Sequence, residues 1–154
     1  MSSIPIGLKL FSPSLIPLTL VDLPGLVRNA IADSPVDIVA QIDRCVMEYI
    51  YRPNSIILAV SAGNTDLANS DALLAASKVD PEGLRTIGVL TKVDIIDKGT
   101  EKDVLDILNN EQYKLKLGWI AVQNRSQQDI MANKHINKHL KDEMNFFAGH
   151  SFFK

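Results

Sequence analysis

The chain has 154 residues, 46% of them hydrophobic and 22% charged, which gives room for one domain with a real core in the ordinary composition of a globular protein. A formal net charge of −2 and a pI near 5.9, with Lys and Arg scattered along the chain, give no basic excess to argue for nucleic acid. The first residues do not read as a signal peptide and no apolar run reaches bilayer length, so membrane contact is expected to be peripheral or to come from parts not present here.

In chain order, "IGLKLF" (6–11) and "LTLVD" (18–22) read as strands joined by the turn "SPSLIP". "SPVDIVAQIDRCVMEYI" (34–50) reads as a helix. Ser34 is its expected N-cap, Pro35 its first residue and Asp37 its capping-box acid. Val39, Ile42, Val46 and Ile50 give it one apolar stripe. The single cysteine, Cys45, falls within that pattern, rules out an internal disulfide and reads as a structural thiol.

"SIILAVSAG" (55–63), "RTIGVLTKVD" (85–94) and "GWIAVQN" (118–124) are near-continuous apolar runs. They read as strands of a parallel sheet covered on both faces. "TEKDVLDILNNE" (100–111) opens with the start signal Thr100 and Asp103. "DIMANKHINKHLKDEMNFF" (129–147) reads as one helix with Ile136, Leu140 and Phe147 on one side. His135 and His139 stand four apart, a metal-ligand spacing, but no third ligand follows, so a solvated helix face is the reading. The alternation of strands and helices predicts an α/β fold with a mostly parallel sheet flanked by helices, in one domain over residues 1–154.

Ligands of open parallel sheets bind beyond the carboxyl ends of the strands, and three loops there carry chemistry. In Asp22-Leu23-Pro24-Gly25 the aspartate suits Mg²⁺ held through water. Gly25 bares a backbone N–H toward a phosphate, although such a turn also forms for conformational reasons alone. In Thr91-Lys92-Val93-Asp94 the carboxylate of Asp94 can accept the paired N1–H and N2–H donors of guanine. Adenine, with the opposite pattern, would leave groups unpaired. The stem of Lys92 can lie over the base or ribose. Asn124-Arg125-Ser126-Gln127 either closes the far side of a base or simply caps the next helix, and taken alone it reads as a cap.

The order of these loops is that of GTP-binding proteins. The longer strings "LTLVDLPG", "ILAVSAGNTDLANSDAL", "VDPEGLRTIGVLTKVDIIDKGT" and "NRSQQDI" resemble the dynamin family of large GTPases, over about residues 4–153. The resemblance implies a P-loop-GTPase-like sheet that binds and hydrolyses GTP with Mg²⁺. It implies that Asp22 lies near Mg²⁺ and Gly25 faces the γ-phosphate. It assigns Thr91, Lys92, Asp94 and Asp97 to the guanine-binding segment, and Asn124, Arg125, Ser126 and Gln127 to the loop completing the base pocket. Asp66, in "NTDLANSD", becomes a contact to a partner GTPase domain. The implied setting is cytoplasmic and peripheral to membranes, which such proteins constrict or sever. The implied partners are GTP, a second GTPase domain as homodimer, a full-length dynamin-like protein, membrane through other regions, and microtubules, but not nucleic acid.

No G-x-x-x-x-G-K-[ST] motif occurs. The one G-x-x-x-x-G, Gly83 to Gly88, continues into Val89-Leu90 inside a strand pattern. The resemblance therefore covers the latter part of a GTPase domain, without its central first strand and P-loop. On this reading the chain alone is not competent to turn over GTP. Two explanations stand: a truncated product, or a non-catalytic module that pairs with a full-length relative through the retained dimer face.

Overall fold

The computed structural model describes residues 4–29 and 35–153. It divides into two compact units, Met1–Pro53 and Asn54–Lys154.

In the first unit, residues 4–29 form no strand. The expected strands at 6–11 and 18–22 are corrected to irregular chain. Ile6, Leu8 and Leu10 do alternate, but they stay exposed, as do Leu18 and Leu20. The pattern is strand-like, yet a strand exists only through a ladder partner, and none forms on either segment among the described residues. What does form is the local turn at Ser12, whose carbonyl accepts from Leu15 N at 3.2 Å. Helix α1 spans Ile38–Ile50 and buries Ile42, Val46 and Ile50 on the expected stripe. It starts later than the sequence suggested. Pro35 lies outside it, with its carbonyl accepting from Ile38 N, and Ser34 falls outside the described residues. Asp37 stands at the N-cap, but its carboxylate takes the Gln41 amide at 2.8 Å instead of a backbone N–H. Cys45 is free and half-buried.

The second unit is a parallel three-stranded sheet in the order β1-β2-β3, with β1 at Ile57–Ala62, β2 at Thr86–Thr91 and β3 at Trp119–Ala121. Helix α2 (Asp71–Val79) and helix α3 (Glu101–Leu108) connect them and flank the sheet. The α/β expectation holds. Register is set by Ile57 opposite Thr86 and by Gly88 opposite Trp119. The core lies on one face, around Leu90, Val93, Leu67, Val104 and Ile107, with Trp119, Phe146 and Phe147 packed on it. The other face carries Leu58, Val60 and Ile120, each more than half exposed. Coverage of both faces, expected from the apolar runs, is therefore not found. The apolar side chains are present, but in the second unit these three stay about half exposed.

Local chemistry explains the joints. Ser70 caps α2 by accepting from Leu73 N at 3.2 Å and bonds Ser61 of β1 at 2.6 Å, so one hydroxyl ties helix to strand. Before β2, the buried carboxylate of Asp80 accepts from Leu84 N, Arg85 N and Thr86 Oγ1 at 2.9, 3.0 and 2.6 Å. The Thr100 start signal works differently from expectation. Thr100 Oγ1 donates to Asp97 O at 2.8 Å and makes no side-chain cap bond. The single helix expected over 129–147 is two: α4 at Gln127–Met131 and α5 at Ile136–Gly149. Asn133, at φ 51°, takes the left-handed conformation that closes a helix. His135 then caps α5, its Nδ1 accepting from Asn137 N at 3.2 Å.

Candidate functional site

Because β1, β2 and β3 run parallel, their carboxyl ends open onto one edge of the second unit. Three segments emerge there: the loop with Asp66, the segment Thr91–Asp97, and Asn124–Gln127. Thr91 is anchored in the sheet. Its Oγ1 donates to Ser61 O at 3.3 Å and its carbonyl accepts from Gly63 N at 2.7 Å. Lys92 is left-handed at φ 58°, an uncommon conformation for a residue with a side chain. Val93, almost wholly buried, plugs into the core beside Leu90. With Val93 turned in, Lys92 and Asp94 are exposed on either side of it. Their side chains make no hydrogen bond or ion pair to another described residue. Asp97 is exposed, and its carbonyl holds the Thr100 hydroxyl.

The Asn124–Gln127 loop is pinned at both ends. Ser126 and Asp129 form a full capping box, with bonds of 3.0 and 3.1 Å to each other's backbone N–H. Lys134 Nζ reaches Asp129 Oδ1 at 3.1 Å and Asp142 Oδ2 at 2.8 Å. Arg125 Nη1 donates to Lys134 O at 3.0 Å. Lys134 and then the Ser126 hydroxyl hold Asp129 down to a pKa of about 2, and Lys134 lowers Asp142 as well. Arg125 and Ser126 thus have structural partners, in line with the capping reading, and Gln127 opens α4. Asn124 is exposed with its amide unpartnered among the described residues.

Asp66 is engaged locally. Its carboxylate caps Ala68 N at 2.9 Å and reaches Asn69 Nδ2 at 3.4 Å. Asp22 and Gly25 belong to the first unit and are exposed, with open space around Gly25. An exposed carboxylate fits a Mg²⁺ ion that keeps its waters. No described group of three or more acidic, His or Cys side chains would cage a metal outright. An open pocket of about 410 Å³, among Leu108, Asn109, Trp119, Phe147 and Phe153, includes none of the candidate residues.

Two residues escaped the sequence reading. His139, read as part of a solvated face, is buried at 6% exposure, and its Nε2 lies 2.7 Å from Gln123 O. Glu143 Oε1 accepts from Gln123 N at 2.8 Å. Helix α5 turns this edge, not the expected Ile136 and Leu140, toward Gln123 just after β3; those two are about half exposed. The i, i+4 spacing of His139 and Glu143 was the available signal.

A family model described as the dynamin family matches residues 1–93, and one described as the dynamin central region matches residues 103–154. The chain belongs to the dynamin family. It is 53% identical over 153 residues to Dynamin-A of Dictyostelium discoideum, covering 99% of this chain and 18% of that protein. It is 56% identical over 149 residues to Vacuolar protein sorting-associated protein 1 of Schizosaccharomyces pombe, covering 97% and 22%. Dynamin of Drosophila melanogaster is 50% identical over 153 residues, covering 99% and 17%. The chain therefore spans about a fifth of the length of these relatives. Strand β3, inside the second matched region, is hydrogen-bonded to β2, inside the first, so the two matches share one sheet. No helix among the described residues is long and apolar enough to cross a membrane.

Proposed function

We propose that this chain carries the guanine-recognising part of a dynamin-like GTPase, a partial GTPase domain spanning residues 1–154. Asp94 accepts the two donors on the guanine edge, Lys92 covers the base or ribose with its stem, and Thr91 and Asp97 frame the segment. Asn124 and Gln127 line the far side on a loop stiffened by Arg125 and Ser126. The observation that carries this reading is the exposure of Lys92 and Asp94, unpartnered, around the buried Val93 at a carboxyl edge shared with Asn124.

GTP and Mg²⁺ belong to the whole GTPase. Asp22 would hold Mg²⁺ through water and Gly25 would meet the γ-phosphate; the ion would neutralise phosphate charge. Without G-x-x-x-x-G-K-[ST], this chain neither binds GTP tightly nor hydrolyses it. A second GTPase domain would meet it near Asp66, as a homodimer or with a full-length relative. Membrane remodelling in the cytoplasm, with membrane or microtubule contact through other regions, is the proposed setting; one relative's name associates it with vacuolar protein sorting. The second reading, a non-catalytic module pairing with a full-length relative, is favoured by the missing phosphate motif. Guanosine at millimolar concentration should slow hydrogen exchange in residues 91–97 and 124–127, whereas adenosine should not. Equal effects of the two nucleosides would contradict guanine recognition.

A further inference from the structure

We propose that His139 and Glu143 position the Asn124–Gln127 loop, so that helix α5 sets where Asn124 is presented to a purine base; this rests on reading that loop as part of the guanine site. Val122 N donates to Leu90 O at 2.8 Å, the last bond of the β2–β3 ladder. Backbone groups of successive strand residues point to alternate sides. The N–H and C=O of Gln123 therefore face away from β2, toward the free edge of the sheet.

At that edge α5 supplies both missing partners. His139 Nε2 meets Gln123 O at 2.7 Å, and Glu143 Oε1 accepts from Gln123 N at 2.8 Å. A carbonyl only accepts, so Nε2 carries the proton of this bond. Spacing of four places the two side chains on one face of α5, one turn apart. Together they do for Gln123 what a fourth strand would do. The other end of the loop reaches α5 as well, through Asp129, Lys134 and Asp142. Asn124 lies between these anchors, directly after the clamped residue. His139 touches no base in this arrangement and is a positioning residue.

Hydrogen exchange by mass spectrometry on the 154-residue chain tests the clamp. His139→Ala should speed exchange in residues 123–127 by about tenfold while β1 and α2 are unchanged. His139→Gln, whose amide N–H has a reach like that of Nε2, should restore slow exchange; the shorter His139→Asn should not. If the Ala variant fails to fold, the Gln and Asn variants decide. With guanosine added, the His139→Ala chain should lose protection at 123–127 and keep it at 91–97. Unchanged exchange at 123–127, an equal rise in β1 and α2, or a Gln variant no better than Asn would overturn the proposal. Guanosine protecting neither segment of the unsubstituted chain would contradict the nucleotide reading, while the ligand-free exchange pattern still decides the clamp.

Discussion

The six-membered ring of Trp119 occupies the space where residue 88 would carry a side chain. A Cβ built on Gly88 would come within 2.2 Å of Trp119 Cε3. The two residues are register partners between β2 and β3, and the Trp119 indole is fixed at its other end by a 3.0 Å bond to Tyr113 O. This pair sets how β3 lies against β2, and so where the Asn124 loop emerges beside Lys92 and Asp94.

Gly88→Ala should therefore force β3 outward. An overpacked core position costs about 1–3 kcal/mol, which a urea titration would read as a lower midpoint. An unchanged midpoint would show that Trp119 moves aside freely.

Asp80 is an acceptor for three donors in a site only 8% exposed. Burial pushes its pKa up, but the Thr86 hydroxyl and the Arg85 and Leu84 amides together outweigh this and leave it lowered. A lowered folded pKa gives stability that is full above the unfolded value and lost as pH falls through the folded one. Asp80→Asn puts an N–H₂ among donors and should cost about 1–3 kcal/mol at pH 7. The gap to the unsubstituted chain should narrow below about pH 4. A gap independent of pH would contradict the role of the charge.

Asp129 titrates at about 2 chiefly because Lys134 is bonded to it, with Ser126 second. Its contribution is present above the ordinary carboxylate range and lost as pH falls from about 4 toward 2. Lys134→Met should raise the Asp129 pKa toward that range in a carboxyl NMR titration and loosen the α4 cap. No upward movement would remove Lys134 as the cause.

The open sheet face around Leu58, Val60 and Ile120 is an aggregation liability. Val60→Lys should lower light scattering at high protein concentration and leave stability within about 0.5 kcal/mol. A large loss of stability would mean that this face is covered in solution.

The three strands of the second unit were legible as near-continuous apolar runs, but the run over 85–94 overshoots β2, which stops at Thr91 where Lys92 turns left-handed. Of the three candidate loops, Thr91–Asp97 and Asn124–Gln127 do follow strands of the sheet, whereas Asp22–Gly25 follows irregular chain in the first unit. Residues 6–11 and 18–22 show why pattern alone fails: alternation marks a face, but a strand needs a partner that sequence does not name. The break at Asn133 depends on one residue turning left-handed. His139 looked solvated because burial depends on which edge α5 offers to Gln123, a tertiary choice invisible in spacing.

The role proposed for Asp94 is selection of guanine. Asp94→Asn, in this chain fused to a P-loop segment from a relative, tests it by nucleotide-binding competition. An amide sets an NH₂ donor beside a carbonyl acceptor where the carboxylate had only acceptors, so preference should switch from guanine to xanthine nucleotides. Retained preference for guanine in that variant would contradict it.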